Sequence, residues 1–164
     1  MPTIRNMNDM NKVLQPYIIK AMELTRDEIF EVVSRKVSDY YNEPVFDGGD
    51  TPMYQRTGHL RDSLTGSNVT CKNNIYSFTV GWDDEYIEYT YSGWTRRWRR
   101  GLKGKNYATG EDVLNYFNTG RHGGDGFTGD HNYWDEAIDE LGGSTGLVEL
   151  FKRNCKKVGL PIIN

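Results

Sequence analysis

The chain has little to tie it down covalently. Among its 164 residues only Cys71 and Cys155 are cysteines. Their spacing matches no metal-ligand or redox pattern, and two cysteines build no disulfide framework. No apolar run reaches the ~18 residues of a membrane-spanning helix. Residues Met1-Pro2-Thr3-Ile4-Arg5-Asn6 lack the apolar stretch of a secretory signal. The expectation is a soluble protein made in a reducing compartment, with no membrane partner. Apolar residues are also scarce, at 37%, while aromatic residues reach 13%, so large rings must fill a modest core. That content excludes a disordered chain. With 18 glycines and much aromatic surface, the chain is expected to complete its burial beyond the isolated monomer.

Catalytic signatures are missing as well. No Gly-x-Ser-x-Gly elbow occurs, and Gly66-Ser67 and Gly143-Ser144 lack the second glycine. The glycine-rich stretch 120–130 has neither a Gly-Lys-Ser/Thr ending nor a preceding strand, so it is no phosphate loop. Asp83-Asp84-Glu85 reads as a tight acidic turn rather than a catalytic dyad. Cys71 in a strand and Cys155 in a helix read as small buried hydrophobes. The expectation is a protein that is no enzyme and takes no cofactor.

What is present is uneven charge. The net charge is −3, yet Arg96 to Lys105 carries six basic residues and no acid, so the rest of the chain carries −9. A compact cationic segment thus sits on an acidic body, unlike the even basicity of a general nucleic-acid binder.

Along the chain, Val13, Leu14, Tyr17, Ile18, Ala21, Leu24, Ile29, Val32, Val33, Val37, Tyr40 and Tyr41 follow the stripe of an amphipathic helix. Pro16 predicts a short helix ending near Gln15 and a long one over 17–42, about 39 Å in length. Lys20, Glu23, Arg26, Asp27, Glu31 and Lys36 are assigned to its solvent face. So long a helix is expected to pack partly on a partner subunit. Pro44, Gly48, Gly49 and Pro52 mark a loop.

Leu64–Lys72, Asn73-Asn74 and Ile75–Trp82 then read as a hairpin. Tyr86–Tyr91 reads as a third antiparallel strand. Thr109 with Asp112 starts a helix over Glu111–Asn118. A helix near Asn132–Leu141 ends at Gly142-Gly143, and Ser144 caps another running to about Val158, with Lys152, Arg153, Lys156 and Lys157 against its dipole. The expected fold is α+β: a long N-terminal helix, an antiparallel sheet of three or four strands, and two or three short C-terminal helices. Residues 1–164 form one domain, with a cationic Trp-Arg insertion at about 92–108.

Two segments invite chemistry. Trp94, Arg96, Arg97, Trp98, Arg99 and Arg100 suit phosphate contacts with base stacking, or an interface hot spot, since both residue types are enriched there. A third reading folds the tryptophans back into the core. The acidic remainder opposes wrapping of DNA. His122, Asp125, Asp130 and His131 in loop 120–131 are candidate metal ligands, which would suit a metal-dependent hydrolase or nuclease. Their spacing fits no signature, and surface loops of this composition are common.

The most specific string is Tyr54-Gln55-Arg56-Thr57-Gly58-His59-Leu60-Arg61-Asp62-Ser63-Leu64. Gly58 permits a positive φ where loop becomes strand. Thr57 and Ser63 can satisfy local backbone donors. Tyr54 and Leu60 anchor the turn, and Arg56 and Arg61 present forks to carboxylates. An ordinary turn before an edge strand is the plainer reading.

This string resembles the Tyr-x-Arg-Thr-Gly-x-Leu-x-x-Ser signature of the neck and tail-completion proteins of long-tailed bacteriophages, the group that includes the lambda-type minor tail protein Z. The surrounding order is similar: a long helix before the motif, a hairpin after it, then Val113–Gly120, Gly126-Phe127 and Trp134–Leu141. The resemblance covers roughly residues 10–141. It implies a structural virion protein of the head–tail junction, forming a homo-oligomeric ring that joins connector to tail around the DNA channel. Its partners would be further copies of itself, neighbouring connector or head-closure proteins, and tail-terminator or tail-tube proteins. Double-stranded DNA would pass through the lumen without sequence-specific binding. Such a protein is assembled in the host cytoplasm and resides in the virion. A tail terminator or head-closure ring protein is the alternative of the same class. Arg56, Arg61 and the segment Trp94–Arg100 are the expected contacts between subunits or rings.

Overall fold

A computed structural model describes residues 6–42, 59–83, 85–87, 89–90, 107–109, 111, 114–115 and 132–160. The chain is α+β, with a long N-terminal helix, short strand pairs and C-terminal helices.

Helix α1 spans Met7–Asn42, 36 residues or about 54 Å. Asn6 caps it: its side-chain Oδ1 accepts the Asp9 N–H at 2.9 Å, and its carbonyl accepts the Met10 N–H at 3.1 Å. The expected break at Pro16 does not occur, since Pro16 lies inside the helix. A proline interrupts one rung of the ladder, a local cost of about 3 kcal/mol. The turns on either side keep their own bonds, so one helix continues where two were expected. The buried residues Ala21, Thr25, Ile29, Val33 and Val37 recur every four positions. Thr25 is polar within this stripe, and its hydroxyl donates to the Ala21 carbonyl at 2.8 Å.

A short helix α2, His59–Asp62, leads into the strands. Strands β1 (Leu64–Gly66) and β4 (Val80–Trp82) pair, as do β2 (Thr70–Lys72) and β3 (Ile75–Ser77). The expected hairpin is therefore present. Asn73 and Asn74 turn it with φ of 54° and 62°, the left-handed pair of a two-residue turn. β5 (Tyr89–Thr90) and β6 (Tyr107–Ala108) form a further antiparallel pair.

Among the described residues the strands form three two-stranded ladders in place of one sheet of three or four. The physical reason lies at Asp83, whose carboxylate accepts the N–H groups of Glu85 (3.1 Å) and Tyr86 (3.3 Å). This turn carries the chain away from the hairpin, so Tyr86 sits in a turn rather than in a third hairpin strand. Glu111, Leu114 and Asn115 are helical, as expected of that segment.

The C-terminal helices are α3 (Tyr133–Glu140) and α4 (Gly143–Lys157). Asn132 caps α3, accepting the Asp135 N–H at 3.3 Å. The cap of α4 is Gly142, not Ser144. Leu141 explains this: a Cβ on Gly146 would lie 1.7 Å from the Leu141 carbonyl oxygen. Only a glycine lets the first turn of α4 close so near the end of α3.

The chain groups into two compact units. One comprises Met1–Val32, Gly66–Gly81 and Ala137–Asn164, the other Val33–Thr65 and Trp82–Glu136. In the second, Val37, Leu60 and Tyr133 form a buried cluster, with Trp82 and Leu114 packed against it. Trp82 and Trp134 meet edge to face there, centroids 5.9 Å apart.

Candidate functional site

The motif singled out in the sequence is described from His59 onward. α2 turns Leu60 inward, where it is 3% exposed in the cluster with Val37 and Tyr133. Ser63 is also buried, and its hydroxyl donates to the Leu60 carbonyl at 2.8 Å. The expectation that Ser63 serves a backbone donor is corrected: its hydroxyl serves an acceptor, an orphan carbonyl at the end of α2. The Ser63 carbonyl accepts the Asp83 N–H at 2.8 Å, which ties the motif to the far end of the hairpin. Arg61 is on the outside, paired with Asp62 at 2.9 Å. The motif's second half therefore combines two inward anchors with one outward guanidinium.

Tyr54, Arg56, Thr57 and Gly58 lie outside the described residues. So do Trp94, Arg96, Arg97, Trp98, Arg99 and Arg100, although β5 and β6 pair on either side of that segment in the chain, Thr90 opposite Tyr107. His122, Asp125, Asp130 and His131 lie outside them too. Among the described residues no group of three His, Cys, Asp or Glu side chains is placed to hold a metal. No described helix is long and apolar enough to cross a membrane.

The two cysteines part company. Cys155 is buried, as expected, and burial pushes its thiol pKa up. Cys71 is exposed, against expectation. It lies on β2 opposite Tyr76, in a ladder whose β2 residues are all exposed. Burial, and then the hydrogen bond with Cys71, raise the Tyr76 phenol pKa. A strand hides its side chains only where another layer covers the face, and among the described residues β2 is left exposed.

Sequence reasoning missed two polar arrangements in the first unit. The first involves Arg26, assigned above to the solvent face. Its guanidinium is held by Asp27 through Nε at 2.9 Å and donates through Nη1 to the Ser67 carbonyl at 3.0 Å. The second joins α1 to α4. Glu28 accepts from Lys157 Nζ at 3.0 Å and from Arg153 Nη2. Between those cations, Asn154 is fully buried, and its amide donates to Thr25 Oγ1 at 3.2 Å. Burial alone would raise the Glu28 pKa, but hydrogen bonds from Lys157, Asn154 and Arg153 outweigh it and hold the carboxyl below its ordinary value. One signal was available in the sequence: Arg153 and Lys157 are like charges four apart on one helix face, a pairing that calls for an acid between them.

The geometry defines a small α+β protein in which a helix-to-hairpin junction is locked from inside and carries a charged group outside. The chain belongs to the YomN family, whose sequence profile matches residues 6–157. That match associates it with bacteriophage proteins. No curated protein and no solved structure matches the chain.

Proposed function

We propose that this protein is a structural component of the virion head–tail junction, a neck or tail-completion subunit that closes into a ring. The observation that carries this reading is the anchored motif. Leu60 and Ser63 fix the turn between the long helix and the hairpin while Arg61 stays on the surface. An inward-locked turn with an outward guanidinium suits a docking point whose geometry must survive repetition around a ring. The family's phage association and the order of long helix, motif, hairpin and closing helices support the same reading.

In this reading Arg56, Arg61 and the segment Trp94–Arg100 contact adjacent subunits or rings. The partners are further copies of the chain, a connector or head-closure protein on one side, and a tail-terminator or tail-tube protein on the other. Double-stranded DNA passes through the lumen without sequence-specific contacts, past a body whose charge outside the cationic segment is −9. The role is association rather than catalysis, and the site of action is the virion.

Complementation of a phage lacking the gene tests the proposal. Arg56→Ala combined with Arg61→Ala is expected to leave a folded protein and yield full heads and tails that remain unjoined under the electron microscope. Normal joining overturns the assignment of those arginines. A strictly monomeric protein with metal-dependent nuclease activity overturns the structural reading altogether.

A further inference from the structure

We infer that helix α4 is a salt-released strap, held on α1 by a polar latch rather than by an apolar seam. Its buried residues are Leu150, Asn154 and Cys155, with Leu147 and Phe151 half-buried, a modest apolar face for a helix of 15 residues. At the centre of the contact stands a polar pair, Asn154 and Thr25, inside the buried stripe of α1.

The orientation of Asn154 follows from chemistry. The Thr25 hydroxyl hydrogen is committed to the Ala21 carbonyl, so Thr25 Oγ1 is left as an acceptor and the Asn154 NH2 must face it. The Asn154 Oδ1 is then buried and has no hydrogen-bond partner among the described residues. A buried acceptor without a donor penalises the docked state specifically, because water satisfies the same oxygen once α4 lifts away.

The compensating attraction is peripheral. Glu28 on α1 receives Arg153 and Lys157, four residues apart on α4, one at each carboxylate oxygen. These are the charged groups that α4 turns toward Glu28, and both cations are at least half exposed. Ion pairs in that setting are weak and screened by salt. A contact that is penalised at its centre and held at its rim opens at lower free energy than the rest of the fold. The polar pair also imposes one register on α4, since sliding by a turn would bury more unpaired groups.

Hydrogen exchange by mass spectrometry on the full chain tests this directly. In the wild type, amides of Gly143–Lys157 should exchange faster than those around Ala21–Val37. Glu28→Gln should accelerate the α4 amides on the order of tenfold and leave the α1 amides unchanged. High salt should bring the wild type to the rate of E28Q without further effect on E28Q. Asn154→Leu, which replaces the orphaned acceptor by an apolar group of similar volume, should slow exchange in α4. The strap is overturned if α4 and α1 exchange at one common rate. It is equally overturned if E28Q accelerates both helices alike, or if salt acts on E28Q as strongly as on the wild type. Should N154L fail to fold, E28Q at two salt concentrations decides the matter.

Discussion

Arg26 on the long helix donates from Nη1 to the backbone carbonyl of Ser67, 41 residues away, at 3.0 Å. That carbonyl is free because the hairpin changes register beside it. Ser67 N–H bonds the Thr79 carbonyl at 2.8 Å, but the Thr79 N–H returns to the Ser67 side-chain hydroxyl, also at 2.8 Å, rather than to its carbonyl. Beyond this point Thr70 pairs with Ser77, so Asn68 and Val69 stand opposite Phe78 alone. This is a β-bulge, and Arg26 completes it by taking the displaced carbonyl. Gly66 permits the approach: a Cβ there would lie 3.3 Å from Arg26 Cδ and 3.7 Å from Phe30 Cδ2.

Ser67→Ala is therefore expected to cost about 1 kcal/mol, the net worth of one solvent-accessible hydrogen bond. Ser67→Thr, which keeps the hydroxyl, should cost less. Urea unfolding followed by circular dichroism measures both, and equal losses would show that the hydroxyl is not the bulge's acceptor.

The Leu60 and Arg61 neighbours should separate cleanly. Leu60→Ala opens a cavity beside Val37 and Tyr133 and should cost about 2–5 kcal/mol. Arg61→Ala removes an exposed guanidinium that pairs with Asp62 on the surface and should change stability by about 0.5 kcal/mol or less. An Arg61→Ala protein that unfolds as readily as Leu60→Ala would assign the arginine to the fold and remove it from the proposed interface.

Glu28 links stability to acid. Its folded pKa is depressed, so the unfolded state binds the proton more readily and the stabilisation is present above the ordinary value of 4.5. It is lost as the pH falls through the lower folded value. The difference in melting temperature between wild type and Glu28→Gln should thus be constant near neutrality and close in the acid range below 4.5. A difference that grows on acidification would reverse the sign and refute the Glu28 latch.

Thiol labelling distinguishes the cysteines. Cys71 is exposed and Cys155 is buried with its thiol pKa raised. One thiol per native chain should react rapidly with an aromatic disulfide reagent, and the second only on unfolding. Cys71→Ser should abolish the fast phase.

Gly146→Ala probes the elbow between α3 and α4. A methyl group there would meet the Leu141 carbonyl at 1.7 Å, so the helix must shift or unwind its first turn. The expected loss exceeds the gain of about 1 kcal/mol that Gly→Ala normally brings to a helix interior. Net stabilisation would mean that the elbow relaxes freely.

Elements whose cause is local were legible in order and type. The apolar periodicity of α1, the Asn73-Asn74 turn and the span of α3 and α4 each depend on residues a few positions apart. Pro16 shows the limit of that logic, since a local penalty is outvoted by the bonds of the turns on both sides. The third strand was legible in part: Tyr89–Thr90 is a strand inside the expected Tyr86–Tyr91, but its partner differs. Alternation in Tyr86–Tyr91 marks a strand-like stretch, but pairing is a choice between partners, and the Asp83 turn sends the chain to Tyr107-Ala108.

The same division runs through the candidate site. Leu60 as an anchor was readable because an apolar residue in a polar motif has one obvious use. Cys71 was misread because burial depends on what covers a strand, and nothing in β2 itself states that. Arg26 and Glu28 carry no local mark that separates them from Lys20 or Glu31. Their partners, Ser67, Arg153 and Lys157, lie 41, 125 and 129 residues further along.

Composition and periodicity were enough to establish a mixed α+β chain, short of aliphatic core, acidic except for one cationic segment. Periodicity, caps and turns are set by forces acting over one or two helical turns, so they are written in the order of residues. The bulge that recruits Arg26, the polar centre at Thr25 and Asn154, and the exposure of Cys71 follow from which surfaces meet once the chain has folded. Such meetings are settled by the competition of all available partners for burial and for hydrogen bonds, a quantity that no short window of residues contains.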